Sequence, residues 1–215
     1  MAYPTVSAPY GLKPINLIGG QVFAGATRQI PIASGYNTNI FNGDVVHLVS
    51  AGTLEKDTGT STATPVGVFL GCTYTDPVLK YKLYSQYYPA NTSASDIMAF
   101  VADDPDQLFK IALVSGTTVI AGLGRTVVGT NLALVQNAGS TTTGDSAVAA
   151  LTTSSATTVS LPLRVIDVVP DTATGTDTFV EVIVKWNAPY FTLAEGAPNT
   201  ITWAGGHQYL NPLGV

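Results

Sequence analysis

Full charges are scarce in this chain. Of its 215 residues, nine are Lys or Arg and fourteen are Asp or Glu, 11% in all, where an ordinary soluble domain carries roughly a quarter. The side chains that usually do acid, base and electrophilic work are therefore few, and the expectation is a protein that is not an enzyme. Nine dispersed cations under a net charge of −5 form no basic stripe. This argues against a nucleic-acid partner, whose phosphates must be met by Lys and Arg, and against an anionic membrane surface. Cysteine is limited to Cys72, so the chain offers neither an intramolecular disulfide nor a thiolate zinc site. No run of about 18 apolar residues occurs, and the first residues lack a basic segment followed by an apolar one. The expected product is soluble and made in a cytoplasm.

Good helix formers are also in short supply. Leu, Glu, Lys and Gln are outnumbered by Val, Thr, Gly and Tyr, which favour strands or turns. With 46% hydrophobic residues there is enough apolar surface to offset chain entropy, so disorder is excluded. Scattered through the chain, 21 Gly and 13 Pro punctuate short extended runs, and the reading is all-β. Strands are expected at Gln29–Ala33, Asp44–Ser50, Pro65–Tyr74, Ile97–Ala102, Leu108–Ser115, Leu163–Val169 and Phe179–Trp186. Asn42-Gly43 makes the turn into DVVHLV, because both residues tolerate positive φ. In VLKYKLYSQYY (78–88), alternation puts Leu79, Tyr81 and Leu83 on a buried face and Lys80, Lys82 and Tyr84 on the other. Val180, Val182, Val184 and Trp186 likewise share one face. The nearly uncharged stretch Ala138–Ser160 reads as a surface hairpin or mobile loop.

The organisation expected is an extended N-terminal arm (1–27), a first β-barrel-like unit (28–115), a second β unit or elaboration (116–186) and an irregular C-terminal tail (187–215). Pro4, Pro9 and Pro14 recur at five-residue spacing in the arm, which prevents a continuous ladder or helix. Arm and tail share a character: Lys13 and Glu195 are their only charges, yet both are aromatic and apolar. Such segments suit the uncharged centre of a subunit interface. In the arm the candidate contact residues are Tyr3, Pro4, Tyr10, Leu12, Pro14, Ile15, Leu17 and Phe23. In the tail they are Tyr190, Phe191, Trp203 and Tyr209.

A search for chemistry returns little. His47 reads as an ordinary strand residue and His207 as an exposed or interface polar residue, too few for a metal site. Cys72, in the apolar run VGVFLGCTYT, reads as a small buried hydrophobe. Asp103-Asp104-Pro105-Asp106 lacks the alternating ligands of an EF-hand loop and reads as a turn. Gly122–Gly129 misses the G-x-G-x-x-G spacing. No catalytic residue, metal or cofactor is expected.

Several strings look like parts of a known group: YGLKPINLIGGQVFAG, NIFNGDVVHL, PVGVFLGCTYTDP, YSQYYP, DDPDQLFK and HQYLNPLGV. Together they resemble virion structural proteins of tailed bacteriophages, in particular marine and cyanophage-type head proteins. The segment with Gly43-Asp44 and Val66-Gly67-Val68 is similar to the core of capsid decoration (cement) proteins of lambdoid type. That resemblance implies a small β-barrel or β-sandwich of tulip-like fold, a homotrimer, an N-terminal arm that adds to strands of the major capsid protein, and residence on the outer surface of the virion head. The chain is longer than many such proteins, which is where the second unit comes in. Two other readings compete with it. One is a tail or receptor-binding protein with a carbohydrate-binding β module, using Tyr84, Tyr87, Tyr88 and Trp203. The other is a hydrolase in which carboxylates such as Asp76 and Glu195 meet in space.

Overall fold

The computed structural model describes residues 9–116, 124–172, 180–193 and 201–212. Among these residues fourteen strands run β1 (Lys13–Leu17), β2 (Arg28–Pro31), β3 (Val45–Leu48), β4 (Leu54–Lys56), β5 (Gly67–Thr75), β6 (Lys82–Ser85), β7 (Met98–Ala102), β8 (Gln107–Val114), β9 (Asn131–Val135), β10 (Ala149–Ala156), β11 (Leu163–Val168), β12 (Glu181–Trp186), β13 (Tyr190–Leu193) and β14 (Ile201–Ala204). Three short 3-10 turns are the helical elements among the described residues. The protein is all-β, as its composition implies.

Strands β8, β10, β9, β11 and β12 form a closed five-strand barrel, because β12 returns to pair with β8. Closure removes the open edges that a flat sheet would expose. The face predicted for Val180, Val182, Val184 and Trp186 points into this barrel, where it packs with Phe109, Ile111, Leu132 and Leu163. The second sheet runs β2-β7-β5-β3-β4, with β6 also on β5. A parallel bridge from Ile32 to Leu54 brings its two outer strands together. Its own core holds Ile30, Ile40, Phe69, Cys72 and Tyr88.

Period-2 alternation joins the two cores. Val45, Val68 and Ala102 pack with the barrel, whereas their neighbours Val46, Phe69 and Val101 fill the second core. Both faces of β5 are thus covered, so it reads as a nearly continuous apolar run. At this junction Asp44 is fully buried. Its carboxylate accepts hydrogen bonds from the Lys56 ammonium at 2.8 Å, the Ser146 hydroxyl at 2.6 Å and the Phe41 N–H at 2.9 Å. Residues 41, 56 and 146 are held to one point by a charge that would be very costly to bury unpaired.

Several expectations are corrected. The boundary expected at 115 lies earlier: the chain leaves the second sheet at β7 and enters the barrel at β8, through the turn 103–106. Residues 138–148 are a loop, exposed at 138 and 140–143, but the stretch from 149 to 156 is no loop: β10 is a barrel wall with Ala149 and Ala150 buried. Their small side chains fit a tight interior, and the hydroxyls of Thr152 and Ser154 are satisfied by the carbonyls of Val114 and Leu151. The long strand expected over 78–88 shortens to β6. The Asp76 carboxylate accepts from the N–H groups of Val78 and Leu79, both at 2.7 Å, and Lys80 takes φ 59°, so the chain turns there. Leu79 and Tyr81 end up exposed instead of buried.

The N-terminal arm is corrected as well. Residues 10–17 belong to this chain's own barrel: β1 pairs with β8, and Leu12 is fully buried in the barrel core. Pro14 is tolerated because β1 pairs on one side only. Gly11 and Gly43 let two backbones touch. A Cβ on Gly11, which has φ 78°, would lie 2.6 Å from the Gly43 carbonyl oxygen.

Candidate interface where the two ends of the chain meet

After β1 the backbone runs along the surface. From Asn16 to Gln29 every residue is exposed except Leu17 and Phe23, and no charge occurs between Pro14 and Thr27. Two large apolar side chains stand out on this ribbon, Ile18 at 48% and Val22 at 76% exposure. Its path is fixed at both ends. The Ile18 N–H donates to the Asp106 carbonyl at 3.0 Å, and Phe23 packs against the barrel core. At the far end Arg28 pairs with Asp103 through Nε at 2.6 Å.

The C-terminal tail arrives at the same place. The Tyr209 hydroxyl donates to Asp103 at 2.8 Å, and the Arg28 guanidinium lies 5.3 Å from the Tyr209 ring centroid. Burial first, then the hydrogen bond to Asp103, pushes the Tyr209 phenol up to about 12. Between these groups lies an open cleft of about 480 Å³, lined by Ala26, Thr27, Arg28, Asp103, Asp104, Pro105 and Tyr209. The Asp-rich turn is a turn, as its sequence implies: Asp104 accepts from the Asp106 N–H at 2.8 Å. Asp106 in turn pairs with Lys185 at 2.6 Å.

The tail is clamped from below by Gln208, whose side chain bonds both the N–H and the carbonyl of Leu48, at 2.7 and 3.0 Å. His207, expected as an exposed or interface polar residue, is fully buried beside it within the chain's own fold. Gly206 makes this possible, since a Cβ there would lie 2.2 Å from the Pro189 nitrogen. Burial holds the His207 imidazole down at about 4, with Asp103 and Asp104 offsetting part of that effect. No local pattern signals that the 47–48 and 207–208 segments touch, because the link runs between a side-chain amide and a strand backbone.

The candidate contact residues fall into distinct groups. Leu12 is core and contributes nothing to an outer surface. Tyr10 is also turned inward: its hydroxyl donates to Glu181, which Lys110 pairs at 3.1 Å. Burial and that carboxylate raise the Tyr10 pKa well above the usual phenol range. Pro14, Ile15, Leu17, Phe23 and Tyr190 are half-buried, and Tyr209 is exposed at 41%. Tyr3 and Pro4 lie outside the described residues, as do the side chains of Phe191 and Trp203. Ile18 and Val22, the most exposed apolar side chains of the ribbon, belong to the apolar set the sequence shows in the arm, though not to its candidate contact residues. Their signal was the glycine-rich, chargeless run around them.

Of the aromatics considered for sugar stacking, Tyr88 is buried with its hydroxyl on the Tyr36 carbonyl at 3.0 Å. Tyr87 stacks on Phe41 with centroids 5.6 Å apart, and Tyr84 stands out at 76% exposure. Cys72 lies in the second core, where burial pushes its thiol up to about 12. Asp76 is spent on its turn, and Glu195 lies outside the described residues. Among the described residues no group of three or more His, Cys, Asp or Glu is placed to hold a metal ion.

The fold thus defines an all-β protein, a closed barrel with a second sheet packed on it. No family model matches the chain, no curated protein matches it, and no solved structure matches it.

Proposed function

We propose that this protein is a non-enzymatic decoration (cement) protein of a tailed-phage head, which binds the assembled shell, bridges neighbouring copies of the major capsid protein and associates with further copies of itself. On this reading it resides on the outer surface of the virion and uses no cofactor. The observation that carries the proposal is the chargeless, exposed ribbon 16–27, with Ile18 and Val22 outward, ending against Tyr209 of the tail. A surface segment with exposed apolar side chains and no charge is costly to leave bare and suits an interface centre. The virion-protein resemblance of the sequence supports the same assignment. A ligand that binds the shell but not its separated parts stabilises the shell by mass action, which needs no catalytic group.

The test is co-sedimentation with purified shells of the major capsid protein. Because Ile18 and Val22 are exposed, the double variant Ile18→Glu/Val22→Glu is expected to fold as the parent does and to bind shells at least about tenfold more weakly, from two charges buried at the contact. Saturation of the shells at parental concentrations would count against the assignment.

A further inference from the structure

A second recess, which shares no lining residue with the cleft at Tyr209, has a different chemistry. It lies between the loop after β4, the turn between β10 and β11, and the β13–β14 hairpin, and its volume is about 330 Å³. Ser61, Thr62, Thr64 and Ser160 line it, together with Tyr190, Ala204, Gly205 and Asn211. No charged side chain is among the lining residues. The four hydroxyls are engaged by no other described residue, although the loops that carry them are firmly held. Asp57 accepts from the N–H groups of Gly59 and Thr64 at 2.8 and 2.9 Å. Asn187 donates to the carbonyls of Val159 and Leu161 at 3.2 and 3.1 Å. The recess is therefore ordered in advance, and its side-chain hydroxyls remain available.

The Gly205 backbone approaches the Tyr190 ring more closely than a side chain would allow. Its φ is 64°, and a Cβ there would stand 3.2 Å from Tyr190 Cε1.

We propose that this recess binds a single neutral sugar unit, free or as the end of a glycan. A pyranose ring has one face of C–H groups and a rim of hydroxyls. The first suits a tyrosine ring, and the second suits Ser and Thr hydroxyls, each able to donate and to accept. The volume sits at the lower end of the roughly 300–1,000 Å³ of small-molecule sites, which is the scale of one sugar residue. A carboxylate or amine on the ligand would lose its hydration with no counter-charge in the recess to replace it. The ligand class is thus set by what lines the site and by the charges it lacks. Shell binding and sugar binding use different surfaces, so either holds without the other.

The experiment is an amide chemical-shift titration of the full chain with D-glucose, D-galactose and N-acetyl-D-glucosamine, with D-glucuronate as the charged comparator. The expected result is a saturable shift for at least one neutral sugar, mapping to residues 61–64, 160 and 190, and weaker binding of glucuronate. Tyr190→Ala is expected to weaken binding by roughly tenfold. Ser61→Ala/Thr62→Ala, on the exposed rim and safe for folding, is expected to weaken it several-fold. Three results overturn the proposal: no saturable shift for any neutral sugar at tens of millimolar, shifts that map elsewhere, or parental affinity in the Ser61→Ala/Thr62→Ala variant.

Discussion

At His207, burial makes stability depend on pH. The imidazole, ordinarily near 6.5, is held at about 4 in the folded protein, chiefly by loss of solvent. Between these values the unfolded chain takes a proton that the folded chain refuses. Stability is therefore full above pH 6.5, falls as the pH drops, and has lost about 3 kcal/mol from this residue by pH 4. His207→Asn keeps an acceptor for the Tyr209 N–H and has no proton to gain. Urea denaturation of both proteins is expected to show the parent losing about that much more than the variant from neutrality to about pH 4. Parallel pH profiles would contradict the assignment. Neither this burial nor that of Asp44 is legible from a single residue. Cys72 was legible, because it sits in an unbroken apolar run whose two faces are both covered.

Among the elements, β5 shows how one glycine aims a strand. The register of β5 against β7 shifts between Phe69 and Gly71, and Gly71 has φ 143° with its would-be Cβ 3.0 Å from the Ser85 carbonyl oxygen. The bulge changes β5's partner on one edge: β3 pairs with its first half, β6 with its second. Gly71→Ala brings backbone strain and a close contact together and is expected to cost about 1–3 kcal/mol, read as a lower urea midpoint at an unchanged slope. A midpoint equal to the parent's would remove the bulge from this role. Most strands were visible in the sequence through alternation and turn residues. Besides β1 in the arm and the β13–β14 hairpin in the tail, both read as irregular segments, two elements were misread for physical reasons. The β10 segment is made of Ala, Ser and Thr around a single Leu, a composition that looks like a loop until a barrel wall satisfies its hydroxyls. In the 78–88 segment the alternation was real, but the Asp76 turn overrides it.

For the molecule as a whole, the N-terminal segment is structural before it is anything else. Removal of residues 1–17 takes away β1, the fully buried Leu12 and the Tyr10–Glu181 contact. Loss of Leu12 alone is of the order of 2–5 kcal/mol, a large part of a typical domain's stability. The truncated chain is expected to lose near-ultraviolet circular dichroism and cooperative unfolding, and a native-like spectrum with the parent's midpoint would refute this. An interface role for the arm is therefore tested by surface substitutions on the ribbon, not by deletion. What the sequence by itself determined is the all-β class, most strands, the inward face of β12 and the lack of charge at both ends, because period-2 alternation, turn chemistry and composition are local properties. Only the tertiary structure decided that the barrel closes through β8 and β12, that the arm's first half is core, and that Arg28, Asp103 and Tyr209 meet. Those outcomes depend on which strands pair across long sequence separations, and pairing is selected by the fit of whole faces rather than by any one segment.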